Sequence, residues 1–200
     1  MKLHLGCGNI YLPPADGWIN IDLKVDDYSF LAEDRPDLIA ENRTTVDRYY
    51  KYPYTQVGPL LNRLCVADVF MDVLKLRFSP NVAEEILAVQ ILEHFSFEDC
   101  RIALAEWYRV LTPGGILTVD VPDFHGLVKE MFAQPEEERD YYYRMLFGSQ
   151  KNESAFHRNG FTVQRLWSCL RDAGFCGVSQ INNIFHHPYP AITMKATKVG

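Results

Sequence analysis

The sequence has no pair of cysteines in a C-x-x-C spacing, no run of basic residues and no long apolar segment. Its five cysteines are scattered along the chain, which predicts free thiols in a reducing compartment rather than a disulfide framework or a zinc site. The pair His186-His187 has no further suitably spaced ligands, so no metal site is predicted. No window approaches the roughly 18 apolar residues of a membrane-spanning helix, and no signal-peptide pattern begins the chain. We therefore expect a cytoplasmic protein without a membrane partner.

Charge and composition exclude further classes of protein. The chain has 20 Lys and Arg residues against 26 Asp and Glu residues, a net charge of −6. Because such a surface repels phosphate backbones, bulk nucleic acid is not an expected partner. Hydrophobic residues at 48% and charged residues at 23% match folded proteins and exclude a disordered or collagen-like chain. With 200 residues and no internal repeat, the chain is predicted to form one domain, residues 1–200.

Short apolar runs that end at turn residues alternate with amphipathic segments along the chain. The first two predicted strands, 3–5 and 18–23, are joined by a stretch too short and too rich in proline for a crossover helix. Further strands are predicted near 65–69, 85–90, 116–121, 177–182 and 191–197, and helices near 96–111, 124–133, 136–147 and 162–173. This alternation predicts an α/β three-layer sandwich, with an irregular insertion at about 24–64 and a helical, lid-like segment at about 124–160.

The first candidate binding residues follow the first strand, in the turn Gly6-Cys7-Gly8-Asn9. Glycines there let a ligand approach the backbone closely and expose its N–H groups. Asp22 ends the second strand, where a carboxylate can accept hydrogen bonds from two ribose hydroxyls; the alternative is a solvated loop carboxylate. The dinucleotide fingerprint requires a third glycine where Tyr11 stands, which disfavours a nicotinamide cofactor.

Two further candidate groups follow the third and fourth predicted strands. Asp72 is placed to meet an adenine edge, with Met71 or Val73 against the face of the ring; the alternative is that Asp72 is only a turn residue. Gln90 follows the fourth strand, at the edge where open α/β sheets bind ligands.

Several titratable side chains are expected at the same edge. His94 is a candidate general base, with orientation of the loop as its alternative role. Asp120, Asp123 and His125 follow the fifth strand and either line a substrate pocket or, in the case of Asp123, cap the next helix. His157 lies in a polar loop, from which it either reaches the site or remains a surface histidine.

These residues belong to a series of motifs that resembles the class I S-adenosylmethionine-dependent methyltransferases. The resemblance is closest to small members whose first strand runs straight into L-G-C-G-N and then G-W-I-N-I-D. The matching motifs, in order, are Leu3-His4-Leu5-Gly6-Cys7-Gly8-Asn9, Asp22, Ile91-Leu92-Glu93-His94-Phe95, Tyr108-Arg109-Val110-Leu111-Thr112-Pro113-Gly114-Gly115, His157 with Gly160-Phe161-Thr162, and Ala173-Gly174-Phe175. The resemblance implies a Rossmann-like fold with a seven-stranded, mostly parallel sheet and an antiparallel last strand.

The resemblance also implies the cofactor and its contacts. The cofactor would be S-adenosylmethionine, with its methionine moiety at the glycine turn. Asp22 would bind the ribose hydroxyls, with Leu23 beside it, and Asp72 and its neighbours would contact the adenine. Gln90 would lie near the sulfonium.

The sequence departs from the family pattern at two positions and in one element. His4 stands where an acidic residue usually orders the amino-acid end of the cofactor, and Ile10 stands where a third glycine is usual. The first crossover helix is missing. We expect residues 24–64 to cover the exposed flank, with their tyrosines beside the substrate pocket.

The predicted function is in-line methyl transfer to a small molecule or a saccharide precursor. Because a sulfonium is already activated, the protein mainly aligns the reactants and excludes water. A base is required where a hydroxyl is the acceptor, and His125, His157 and His94 are the candidates. The alternatives are a non-catalytic binding or scaffold module, which the His4 and Ile10 departures favour, and an NAD-dependent oxidoreductase.

Overall fold

The computed structural model describes residues 1–8, 10–41, 65–182 and 190–200. Its strands are β1 (Lys2–Leu5), β2 (Trp18–Asp22), β3 (Ser29–Leu31), β4 (Cys65–Ala67), β5 (Val69–Phe70), β6 (Ala83–Val89), β7 (Leu111–Pro122), β8 (Cys176–Ile181) and β9 (Ala191–Thr197). Seven strands form the main sheet in the order β5-β2-β1-β6-β7-β9-β8, and β3 pairs with β4 separately. The strand β9 is antiparallel to both of its neighbours, whereas the pairs from β5 to β7 are parallel. The predicted mostly parallel sheet with an antiparallel last strand is confirmed.

Five helices accompany the sheet in the described part of the chain. They are α1 (Pro36–Glu41), α2 (Phe97–Val110), α3 (Phe124–Ala133), α4 (Asp140–Phe147) and α5 (Val163–Asp172). Two begin at caps that the sequence predicts: the hydroxyl of Ser96 accepts a hydrogen bond from the backbone N–H of Asp99 at 3.1 Å, and Thr162 caps α5. None of these helices is long and apolar enough to cross a membrane.

The two faces of the sheet are buried differently. Because side chains alternate along a strand, Leu3 and Leu5 join the main apolar core, which also receives Trp107 of α2. The intervening His4 points to the opposite face, where Asn20 is buried as well. The second face therefore has polar residues that need hydrogen-bond partners.

The segment between β1 and β2 has only a short 3-10 turn in its described residues and no crossover helix, as predicted. A polar cluster on the second face of the sheet attaches this segment to β2. The side-chain amide of Asn20 donates to the Leu12 carbonyl and to Asp68 at 2.8 and 2.9 Å. Its oxygen accepts from the Leu12 N–H at 2.9 Å and contacts His4 Nδ1 at 3.1 Å. The Tyr11 hydroxyl donates to Asp68 at 2.5 Å. These bonds hold the connection where a helix would otherwise pack.

The predicted insertion contains regular structure in its described part. Strand β3 and helix α1 lie within residues 24–41, and Tyr11, Leu38 and Val66 pack together there. The four tyrosines of the segment 49–54 lie outside the described residues. Their predicted place beside the substrate pocket stays a prediction.

The prediction of a single strand at 65–69 is wrong, because the strand is interrupted at Asp68. Residues before it form β4, which pairs with β3, and residues after it form β5, which joins the main sheet beside β2. The Asp68 carboxylate accepts from the backbone N–H of Asn20 at 2.7 Å, and the Asp68 N–H donates to the Asn20 carbonyl at 2.8 Å. These two bonds turn the chain from one sheet into the other.

Candidate functional site

The carboxyl ends of five parallel strands meet at one edge of the main sheet. Leu5 at the end of β1 is level with Ile21 of β2 and Ala88 of β6. Val89 of β6 is level with Asp120 of β7. The turns that follow these strands therefore lie side by side, and they contain nearly all the predicted binding residues.

The glycine turn after β1 has the backbone that the sequence predicts. Gly6 and Gly8 have φ angles of +64° and +53°, in the left-handed region that favours glycine. A Cβ on Gly6 would lie 2.4 Å from Ile91 Cδ1, whereas a Cβ on Gly8 would meet nothing closer than 4.0 Å. The turn is therefore packed against the Ile91 side chain at Gly6, whereas the space next to Gly8 is open. Cys7 is buried, and Asn9 lies outside the described residues.

Asp22 ends β2 beside this turn. Its Oδ2 accepts the Gly8 N–H at 2.6 Å, and its Oδ1 accepts the Leu23 N–H at 2.7 Å. Each carboxylate oxygen can accept a second hydrogen bond, so the carboxylate can bind a vicinal diol once the Cys65 thiol, which also donates to it, rotates away. Burial raises the pKa of Asp22, against the hydrogen bonds from Gly8, Leu23 and the Cys65 thiol. The side chain of Leu23 is 43% exposed and offers an apolar surface next to the carboxylate.

The three candidates after β5 have different environments. The Met71 N–H donates to the Asp22 carbonyl at 2.8 Å, which holds this half-buried residue next to β2. Asp72 is exposed and accepts the Leu74 N–H at 2.9 Å, as a turn residue does. Val73 is buried in the main core. Of the two side chains predicted to face an adenine ring, Met71 is the one near the sheet edge.

Gln90 begins the turn after β6 with a strained backbone. Its φ of +53° is uncommon for a residue with a side chain and costs about 1–3 kcal/mol. Its side-chain amide donates to Asp120 Oδ1 at 2.8 Å, and the Thr193 hydroxyl donates to Asp120 Oδ2 at 2.6 Å. The buried Asp120 thus holds Gln90 at the sheet edge.

His94 and His157 come together, although they are distant in the sequence. Their ring centroids are 4.7 Å apart, edge to face. Burial lowers the pKa of both imidazoles, in His157 to about 4 with a further contribution from His94. Both rings are therefore neutral near pH 7. Glu93 is buried next to them.

A small pocket lies beside His157 in the predicted lid-like segment. It is lined by apolar side chains of Leu127 from α3 and Met145 from α4, and by His157 itself. No signal in the sequence identifies Leu127 and Met145 as pocket residues, because they come from separate helices. His125 is exposed on the first turn of α3, where the Asp123 carboxylate accepts its backbone N–H at 3.1 Å. Asp123 thus caps α3, the second of its two predicted roles.

The departure at His4 has a structural consequence. His4 is buried and its Nδ1 lies 3.1 Å from the side-chain oxygen of Asn20. The imidazole is used within the polar cluster on the second face of the sheet, so it does not replace the acidic residue of the family pattern.

Comparisons with known proteins agree with this geometry. Residues 55–119 match the family profile of the methyltransferase domain. No curated protein sequence matches the chain.

Solved structures share the fold over nearly the whole chain. A SAM-dependent methyltransferase from Thermotoga maritima has 14% identity and a TM-score of 0.54, over 98% of this chain and 81% of that one. A SAM-dependent methyltransferase from Methanosarcina mazei has 14% identity and a TM-score of 0.57, over 99% and 92%.

Human N-acetylserotonin methyltransferase, solved with SAM, has 14% identity and a TM-score of 0.52. The match covers 100% of this chain but 47% of the human enzyme, so the chain spans about half of that protein. At these identities the structures establish the fold. The chain therefore has the fold of these methyltransferases, and residues 55–119, about a third of its length, are similar to the methyltransferase-domain family.

Proposed function

We propose that the chain transfers a methyl group from S-adenosylmethionine to a small molecule or a saccharide precursor, using the edge of the sheet where β1, β2, β5 and β6 end. The observation that supports this proposal most strongly is the place of Asp22. Its carboxylate lies 2.6 Å from the Gly8 N–H, so an acid and a glycine turn stand together at the ends of adjacent parallel strands. This is where nucleosides bind in open α/β sheets.

Three features of the residues at this edge support binding of the cofactor. The open space over Gly8 allows a ligand to approach the backbone. Asp22 accepts hydrogen bonds from the two ribose hydroxyls, and the exposed Leu23 with Met71 provides apolar contact for the adenine. Asp72 lies at the outer end of this surface, and Gln90 is held toward the sulfonium by Asp120.

We place the acceptor beside His157, where the pocket of about 10 Å³ has room only for the reacting group of the acceptor. S-adenosylmethionine supplies an activated methyl group, so the chain's residues need to align the acceptor and exclude water. The Nδ1 atom of His157 lies 2.9 Å from the Met145 carbonyl. Because a carbonyl only accepts hydrogen bonds, Nδ1 carries the proton and Nε2 has a free electron pair. This nitrogen can accept a hydrogen bond from an acceptor hydroxyl, and His94 and His125 are the alternative bases.

The second candidate function, a non-catalytic binding or scaffold module, is favoured by His4. The chain lacks the acidic residue that usually orders the amino-acid end of the cofactor, and the buried imidazole is held by Asn20. In our proposal that end of the cofactor lies in the open space over Gly8.

Calorimetric titration with S-adenosylhomocysteine, with NAD as the negative control, tests the cofactor site. We compare Asp22→Asn with Asp16→Asn, in which the same change is made to an exposed residue just before the other end of β2. In Asp22→Asn an NH₂ group, which cannot accept a hydrogen bond, replaces one carboxylate oxygen. It either opposes the N–H donor of Gly8 or Leu23 or removes one hydrogen bond to the ribose. Since a hydrogen bond to a charged group contributes about 1.5–3 kcal/mol, we expect binding to weaken about 10- to 100-fold.

Asp16→Asn should bind like the wild type. Absence of binding by the folded wild-type chain would support the scaffold module, and equal affinities of the two variants would remove Asp22 from the site.

A further inference from the structure

The carboxyl group of Glu93 is buried without a hydrogen-bond partner among the described residues. The residue is 1% exposed, and neither carboxylate oxygen accepts a hydrogen bond from another residue in that part of the chain. Burial raises the pKa of Glu93 well above its ordinary range, against the backbone N–H of the same residue, and the nearby Asp120 raises it further. An isolated buried carboxylate is strongly destabilising, and methyl transfer as proposed above makes no use of this side chain.

Two histidines lie beside this carboxyl group. One possible metal-binding atom of each of Glu93, His94 and His157 lies within 4.8 Å of the other two. His94 Nδ1 is 3.1 Å from the Phe156 carbonyl and His157 Nδ1 is 2.9 Å from the Met145 carbonyl. Both Nδ1 atoms therefore carry protons and both Nε2 atoms have free electron pairs. Histidines that bind metals almost always make this second hydrogen bond.

We propose that Glu93, His94 and His157 bind one Zn²⁺ ion. Two imidazoles and one carboxylate form the ligand set of a catalytic zinc site, in which a fourth position stays open for water or substrate. Tetrahedral ligands about 2.0–2.1 Å from zinc lie about 3.4 Å apart, so the three side chains must move together by about 1 Å. The carboxylate and the rings can do so by side-chain rotation.

The local charge favours a divalent cation. Glu93 and Asp120 are buried close enough for the charge of Asp120 to raise the pKa of Glu93. Both ionised carboxylates would be balanced by one Zn²⁺ ion, with the two imidazoles neutral. The charged group that acts on the ring of His94 from outside is Arg158, which is exposed and lies 3.4 Å from Glu153.

The ion would join two distant parts of the chain. Glu93 and His94 follow β6, whereas His157 follows α4 and lines the apolar pocket. The open zinc position would face that pocket and replace the free imidazole as the group that binds an acceptor hydroxyl, whose proton would leave to water. This last step rests on the proposed function; binding of the ion does not.

Titration of the chelator-treated chain with Co²⁺, which replaces zinc and absorbs visible light, tests the site without S-adenosylmethionine. We expect one Co²⁺ per chain, displacement by Zn²⁺, and a melting temperature that rises with the concentration of either ion. Glu93→Gln and His157→Gln should each weaken binding more than about 100-fold, the upper range for loss of a supporting partner. Glu93→Gln should stay folded, because the amide has the same size as the carboxyl group and adds no charge to the buried site.

Two control variants separate this site from other ligands. His125→Gln removes an exposed histidine near the same pocket and should leave Co²⁺ binding unchanged. Cys65→Ser tests the second cluster, in which Cys7, Asp22 and Cys65 also place one ligand atom each within 4.8 Å; cobalt bound there would show a thiolate charge-transfer band.

Three results would overturn the proposal. They are the absence of stoichiometric Co²⁺ binding, binding that survives both Glu93→Gln and His157→Gln, and a charge-transfer band that Cys65→Ser removes. A chain that binds Co²⁺ but no S-adenosylhomocysteine would keep the metal site and refute the methyltransferase proposal.

Discussion

Acidification from about pH 7.5 to about pH 5 should destabilise the protein through His4. Burial lowers the pKa of this imidazole from 6.5 to about 4, although the hydrogen bond with Asn20 acts in the opposite direction. Between these two values the unfolded chain binds a proton that the folded chain does not bind. The free energy of unfolding is therefore highest above pH 6.5 and falls as the pH is lowered toward 4.

The size of the effect follows from the two pKa values. One pKa unit corresponds to about 1.4 kcal/mol. Linkage then gives a loss of about 2 kcal/mol between about pH 7.5 and about pH 5, and about 3 kcal/mol once the folded state is protonated as well. This is a large part of the stability of an ordinary domain, which is about 5–15 kcal/mol.

Urea unfolding followed by tryptophan fluorescence at both pH values measures this loss. The matched variant is His4→Gln, whose amide can still donate to the Asn20 oxygen but does not titrate. Every other titrating group is common to both chains, so the difference between them isolates His4. The variant should lose about 2 kcal/mol less than the wild type over the same interval.

Two results complete the test. His125→Gln, which removes an exposed histidine, should follow the wild type at both pH values. If the difference between wild type and His4→Gln stays constant to within about 0.5 kcal/mol, the burial of His4 as a neutral imidazole is refuted.

Three further substitutions test the glycine turn, the apolar core and the lid-like segment at about 124–160. Gly6→Ala should reduce the free energy of unfolding by about 3 kcal/mol, because a left-handed φ and an isoleucine 2.4 Å from the new Cβ both oppose it; urea unfolding measures this. Trp107→Phe removes the 3.0 Å bond from the indole N–H to the buried Val73 carbonyl and should cost about 2 kcal/mol by the same measurement. Gly148→Ala places a Cβ 2.1 Å from a backbone oxygen and should lower the rate of methyl transfer while S-adenosylhomocysteine still binds.

Each of these predictions has an outcome that contradicts it. Gly17→Ala is the control for the turn, since Gly17 has a φ of +83° but no atom within 4 Å of the new Cβ; an equal loss in both glycine variants would exclude crowding at Gly6. A Trp107→Phe chain as stable as the wild type would mean that the hydrogen bond contributes nothing. Loss of S-adenosylhomocysteine binding in Gly148→Ala would contradict the third prediction, because it would mean that the chain around Gly148 contributes to the cofactor site.

The order of the elements along the chain was predictable from the sequence because it depends on local patterns. Short apolar runs predicted six of the seven strands of the main sheet, all except β5, and the caps at Ser96 and Thr162 predicted the starts of two helices. The glycine turn and Asp22 were recognisable because each lies next to the strand that positions it.

Contacts between distant residues were decided by the tertiary structure. The division of the strand at Asp68 depends on its bonds to Asn20 of β2, and the burial of His4 depends on the same amide. The pairing of His94 with His157 depends on how the segment after α4 returns to the end of β6. A sequence pattern indicates which face of a helix or strand is apolar. Only the tertiary structure determines which distant side chain packs against that face.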